Sequence, residues 1–315
     1  MKLRTFASVV MLLVPASCIS AADSRLLEMV MPEAKVVAGV NLAQARTSPF
    51  GQFLLSRAQH EDEGLTKFMA ITGFDPRRDL TEVVLASSSD STRKSGIAIA
   101  RGRFDVNRLI AAARADGRSV ETYNGVEMTT GKHGNDSLAF FDSTLAVAGV
   151  TSEVRSAIDR RNRPTAFHAA IAAKIAQLGA SQDAWVVSLG PVAGFKPGLK
   201  DKTVNGAFNG DLAKSIEQAS AGVKFGAMVQ VTAEAVARTA KDATALADVA
   251  RFLASMAQLN VQEKDTGKFG EVLQSLDVKT QANTVRLSLA ISEDQMERLI
   301  GTGHGVRASA RTNRR

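Results

Sequence analysis

The sequence predicts an α+β fold of two tandem, degenerate repeats, each an antiparallel or mixed sheet covered by helices. Three observations carry this expectation. Strand and helix types recur in the same order in 23–161 and 183–300, with a helical connection over 162–182. Tight-turn residues separate neighbouring strands, which favours antiparallel pairing over a doubly wound parallel sheet. Capping residues mark the helix starts. With 315 residues and 45% hydrophobic content, the chain can bury a sizeable core.

In chain order, residues 1–22 read as a secretory signal peptide. Lys2 and Arg4 precede the apolar run Phe6–Val14, and Ser20 and Ala22 supply small residues before a cut after Ala22. The run is roughly half of the ~20 residues that a spanning helix needs. Cys18, the only cysteine, offers an alternative: Val14-Pro15-Ala16-Ser17-Cys18 resembles a lipobox, with Pro15 where Leu is usual. Export with cleavage is therefore one expectation, and a lipid anchor on Cys18 the other.

Lys35–Val40 and Trp185–Gly190 each read as a short buried strand opening a half. Ser48-Pro49 starts a helix carrying Phe50, Phe53 and Leu54. Gly96–Ala100 is a strand, followed by a helix that Asp105 caps and Gly117 stops. The counterpart in the second half is a strand over Val223–Val231 and a helix from about Ala233. Tyr123-Asn124-Gly125-Val126 is a two-residue hairpin turn, because Asn-Gly accepts positive φ. Leu138–Phe141 and Thr144–Ala148 flank the turn Asp142-Ser143 and lead into a helix over Thr151–Arg160. Leu276–Lys279 and Thr284–Ile291 likewise lead into Ser292–Ile300, where Ser292 and Gln295 make a capping box. Val236, Thr239, Ala243, Leu246, Ala250 and Leu253 predict one long helix over Thr232–Leu259 lying across its own sheet.

The segment Thr72-Gly73-Phe74-Asp75-Pro76-Arg77-Arg78-Asp79-Leu80 resembles a turn-into-strand element of exported bacterial proteins of unknown function with repeated α+β units. Ala240-Lys241-Asp242-Ala243 is similar to them as well. The resemblance implies export and fold, and supplies no catalytic residue. Physically, Pro76 sets a turn after Asp75, and Asp79 caps the return into a strand.

No catalytic, cofactor-binding or metal-ligating residue is assigned. The four histidines, His60, His133, His168 and His304, lack helical ligand spacing, and His60-Glu61-Asp62-Glu63 reads as a solvated loop. Asp265-Thr266-Gly267 and Asp142-Ser143-Thr144 mimic aspartic-protease tripeptides, but lysines bracket Asp265 and Asp142 sits in a tight turn. Ser91 and Lys94 match Ser-x-x-Lys in a polar loop, with no Lys-Thr-Gly partner. Gly190–Gly210 reads as a long connection or a binding loop.

The expectation is thus an exported, non-enzymatic binding or structural module of the periplasm or envelope with an unknown protein or envelope partner. The alternative is a hydrolase whose site forms only in three dimensions, with Asp142, His133 and Ser143 as candidates near one hairpin. The net charge of +7 lies at the ends. Six of the 39 basic residues sit in 1–22 and 301–315, leaving 33 against 32 acids between them. A specific nucleic-acid partner is not expected, and only 16 aromatics are present for base or sugar stacking. The tail 301–315 is expected to be disordered, with weak contact to anionic polymers or lipid headgroups.

Overall fold

Alternating apolar runs separated by tight turns assemble here into one sheet rather than two. The computed structural model describes residues 24–57, 63–88, 96–163, 168–190, 211–226, 228–259, 272–292 and Gln295. The chain runs through α1 (Ser24–Leu27), β1 (Val36–Asn41), α2 (Leu42–Ala45), α3 (Pro49–Arg57), α4 (Glu63–Thr72), α5 (Pro76–Asp79), β2 (Leu80–Ser87) and β3 (Gly96–Gly102). It continues through α6 (Val106–Ala115), β4 (Ser119–Tyr123), β5 (Val126–Thr130), β6 (Asp136–Asp142), β7 (Leu145–Val150), α7 (Thr151–Asn162) and α8 (Ala169–Ser181). The remainder is β8 (Ala184–Leu189), α9 (Asp211–Lys214), β9 (Ile216–Lys224), β10 (Met228–Ala237), α10 (Ala240–Leu259), β11 (Asp277–Gln281) and β12 (Thr284–Ser292).

The strands lie in the order β11-β12-β10-β9-β8-β1-β2-β3-β7-β6-β5-β4, and each neighbouring pair is antiparallel. The expected separate sheets are therefore one. The two strands read as openings, β1 and β8, pair with each other from Val36↔Ser188 to Val40↔Ala184. Two apolar edge strands left unpaired would expose a row of N–H and C=O groups, and pairing them removes both edges.

Two helical elements differ from expectation. The long helix over Thr232–Leu259 is a strand to Ala237 and a helix only from Ala240. Val229, Val231, Ala233 and Ala235 alternate with Gln230, Thr232 and Glu234, which is the period of a strand. Alanine serves both periods, so the helical spacing ran backwards into the strand. Thr239 and Asp242 set the true start: Thr239 Oγ1 accepts from Asp242 N at 3.1 Å. The strand expected over Val223–Val231 is two strands, β9 and β10, with the chain turning after Phe225 and Gly226.

Helices cover both faces of the sheet. On the back face, α1, α7 and α8 pack on Val37, Val84, Ile99, Val147 and Val187; Leu26, Met29, Met31, Ile158, Ile171 and Ile175 are fully buried there. Arg160 of α7 reaches through this layer and donates from Nε and Nη2 to the Met29 carbonyl, at 3.1 and 2.9 Å. The front face carries three groups. Phe104, Leu109 and Ile110 hold α6 against Phe140 and Ala146, while Leu246 and Ala247 hold α10 against Ala237 and Val285. Phe50 of α3 packs on Phe225 and Val229 beyond the centre.

Candidate functional site

Between the α6 and α10 groups, beside α3, the described residues leave the sheet half covered. Following the pairing register from strand to strand gives one continuous row of nine: Leu287, Ala233, Ala221, Val186, Ala38, Leu85, Ala98, Ala148 and Leu138. All nine are apolar and none is buried; Leu85 at the centre is 52% exposed. The adjacent row on the back face, Val187, Val37, Ala86 and Ile97, is buried throughout. Eight inter-strand steps of about 4.8 Å make the front row roughly 40 Å long.

Five of the nine are alanines. Small side chains under a helix leave space that a larger residue would fill. Under α10 that space is a groove of about 380 Å³, lined by Val186, Ile216, Ala219, Ala235, Leu246 and Leu287. At the other end of the row a smaller cavity, about 150 Å³, lies beneath Phe68 and Phe74 on Ala98, Ala148, Leu138 and Phe140. Phe74 stacks on Phe104 with ring centroids 5.4 Å apart, and Phe68 meets Phe74 edge-on.

Beside this cavity opens a polar cleft of about 440 Å³, between the α4–α5 turn, the start of α6 and the β6–β7 turn. Asp75 caps α5 by accepting from Arg77 N at 3.0 Å. Asp79 is buried: it accepts from Asp75 N at 2.8 Å and from Arg78 Nε and Nη2 at 2.8 and 2.7 Å. The Arg78 hydrogen bonds hold the Asp79 carboxyl below the ordinary carboxylate range against the opposing effect of burial. Arg103 and Arg108 line the same cleft.

A fourth cavity, about 430 Å³, is polar and lies on the back face beside α8. Glu234 of β10 accepts from Lys174 of α8 at 2.7 Å and from Arg286 of β12 at 2.8 Å. Burial raises the Glu234 pKa, but the two cations outweigh it and the net displacement is downward. This trio ties α8 to two neighbouring strands, β10 and β12.

The hydrolase candidates do not come together. Asp142 and Ser143 lie at one end of β6 and His133 in the loop before its other end, separated by a seven-residue strand of ~20 Å. Asp142 Oδ1 accepts from Thr144 N and Thr144 Oγ1, at 2.7 and 2.6 Å, which locks the turn. Burial pushes its carboxyl up, while those bonds and Arg161 draw it down further, so it is held ionised. Among the described residues no three His, Cys, Asp or Glu side chains gather as metal ligands. Residues 1–22 with Cys18, His60 to Asp62, Ser91 and Lys94, 191–210, Asp265 to Gly267 and 301–315 lie outside the described residues. No helix among the described residues is long and apolar enough to cross a membrane.

The nine-residue row and the three-arginine cleft were missed from the sequence. Runs such as Val83–Ala86 and Ile97–Ala100 signal two apolar faces, but not which face lacks a cover.

No protein-family model matches the chain, and no curated protein does. Solved structures do. Three crystal forms of the Treponema protein TP0453 align with it at TM-scores of 0.52, 0.51 and 0.53 and at 10%, 10% and 12% identity. The alignments cover 88% of this chain and 97%, 96% and 96% of TP0453. The fold is TP0453-like. At such identity the likeness speaks for the fold alone, and the resemblance to proteins of unknown function stands at that level.

Proposed function

We propose that this chain is an exported, non-enzymatic binding protein whose half-covered front face takes up the acyl chain of a lipid. The apolar row from Leu287 to Leu138, half-buried along its length and exposed at Leu85, carries the reading. Apolar surface left half covered is costly in water, at ~25 cal/mol per Å². The nine residues of the row bear no hydrogen-bonding side chain, which suits hydrocarbon and disfavours a peptide, whose N–H and C=O groups would go unpaired. The groove under α10, about 380 Å³, falls within the ~300–1,000 Å³ of ordinary ligand pockets. Export rests on residues 1–22, so the lipid would be met in the periplasm or envelope. Mass measurement of the mature N-terminus tests this: Asp23 supports cleavage, acylated Cys18 supports the anchored form, and an intact Met1 overturns export.

Titration of the purified protein with a fluorescent fatty acid tests the binding itself. Saturable one-to-one binding is expected, weakened at least tenfold by Leu85→Gln and by Ala235→Phe, which fills the groove. Absence of saturable binding, or binding indifferent to both substitutions, overturns the assignment.

The two halves are further proposed to be degenerate duplicates. Strand order supports this, since β1-β2-β3-β7-β6 corresponds position for position to β8-β9-β10-β12-β11. The helices after the third strands, α6 and α10, also share a face, and β4–β5 is then an added hairpin. Close relatives are expected to retain alignable identity between halves; halves no more alike than shuffled sequences would refute duplication.

A further inference from the structure

We propose that the cleft lined by Arg78, Arg103 and Arg108 is the headgroup subsite for a carboxylate- or phosphate-bearing amphiphile whose chain enters the adjoining apolar cavity. The inference rests on the lipid-binding reading above and specifies the charge of the lipid. The cleft and the cavity beneath Phe68 share Phe74, Phe104 and Leu109 as a common wall. A molecule lying over that wall meets hydrocarbon and aromatic rings on one side and guanidinium groups on the other.

The charges of the cleft are unevenly committed. Its two carboxylates are occupied: Asp79 holds Arg78 at 2.7 Å, and Asp105 caps α6 by accepting from Arg108 N at 3.1 Å. Arg108 donates from Nε and Nη2 to the Ile71 carbonyl, at 3.2 and 3.1 Å, and so fixes the end of α4. Arg103 is exposed; its backbone N–H donates to the Asp79 carbonyl at 2.8 Å, while its side chain forms no hydrogen bond or ion pair among the described residues and acts on the Asp79 carboxylate only through space. Three guanidinium groups face two carboxylates, and the surplus rests on the Arg103 side chain, which is not hydrogen-bonded to either of them. A guanidinium binds a carboxylate or phosphate through two parallel N–H donors, and the low-dielectric aromatic wall strengthens that attraction. A neutral lipid would leave the surplus charge unanswered.

The test compares dansyl-undecanoic acid with its methyl ester on the purified protein. The acid is expected to bind about tenfold more tightly than the ester. Arg103→Ala should remove that difference while leaving ester binding and melting temperature unchanged, and Arg103→Lys should restore part of it. Equal affinity of acid and ester in the unmodified protein, or a preference that survives Arg103→Ala, overturns the headgroup subsite but leaves the lipid reading intact. Failure of both probes to bind overturns both. Inorganic phosphate titrated alone separates the sources of the anion: binding as tight as that of the acid assigns the cleft to free phosphate and overturns the amphiphile.

Discussion

Single residues hold this sheet at a few points where no neighbour can substitute. At Gly39 the Trp185 indole occupies the space that a Cβ would take, so the pair locks β1 to β8. Gly39→Ala is expected to cost about 1–3 kcal/mol through overpacking, read as a lower melting temperature with a changed Trp185 emission. Asp79 accepts three hydrogen bonds while buried, and Asp79→Ala should cost about 1–3 kcal/mol in chemical denaturation. Glu234 adds a pH dependence. Its folded pKa is depressed below the ordinary 4.5, so the unfolded state binds its proton more readily. The stabilisation is fully present above pH 4.5 and is lost as pH falls through the folded pKa. Glu234→Gln should therefore lower the melting temperature at pH 7, and the difference from the unmodified protein should shrink in acid. A constant difference down to pH 2 would contradict that role.

Elements were legible wherever local chemistry decides them. Asp105 caps α6, accepting from Arg108 N; Ser292 and Gln295 exchange reciprocal bonds at 3.3 and 3.0 Å; and Asn124-Gly125 turns with φ of 46° and 81°. Each is set by residues within four positions of one another, so pattern alone suffices. Asp105→Ala should cost about 1 kcal/mol, measured as a loss of stability with the front face otherwise unaltered. Gly125→Ala should cost a similar ~1–2 kcal/mol, because no neighbouring atom lies within 4 Å of the added Cβ and only the left-handed backbone opposes it. The α10 boundary was not legible. Alanines at 233, 235, 237, 240 and 243 fit either period, and only the partners Ala219, Ala221, Val285 and Leu287 select the strand.

At the scale of the molecule, the β1–β8 junction makes the two halves one sheet. Trp185, the only tryptophan, sits on that junction. Its fluorescence and the far-ultraviolet circular dichroism should then melt together; Trp185 emission changing well before the dichroism would show that the halves part first. The sequence by itself determined the α+β class, the hairpins, the caps and the near-neutral body between basic ends, because those depend on composition and on contacts a few residues apart. The tertiary structure alone decided that two strands far apart in the chain, β1 and β8, pair, that helices divide between two faces, and that among the described residues one apolar row stays half covered. Burial of a sheet face is a sum over strands and helices distant in the chain, and a strand carries no local mark of whether its far neighbours will cover it. The same holds for Arg78, Arg103 and Arg108, which meet across one cleft only because the α4–α5 turn and the start of α6 fold against the same strand ends.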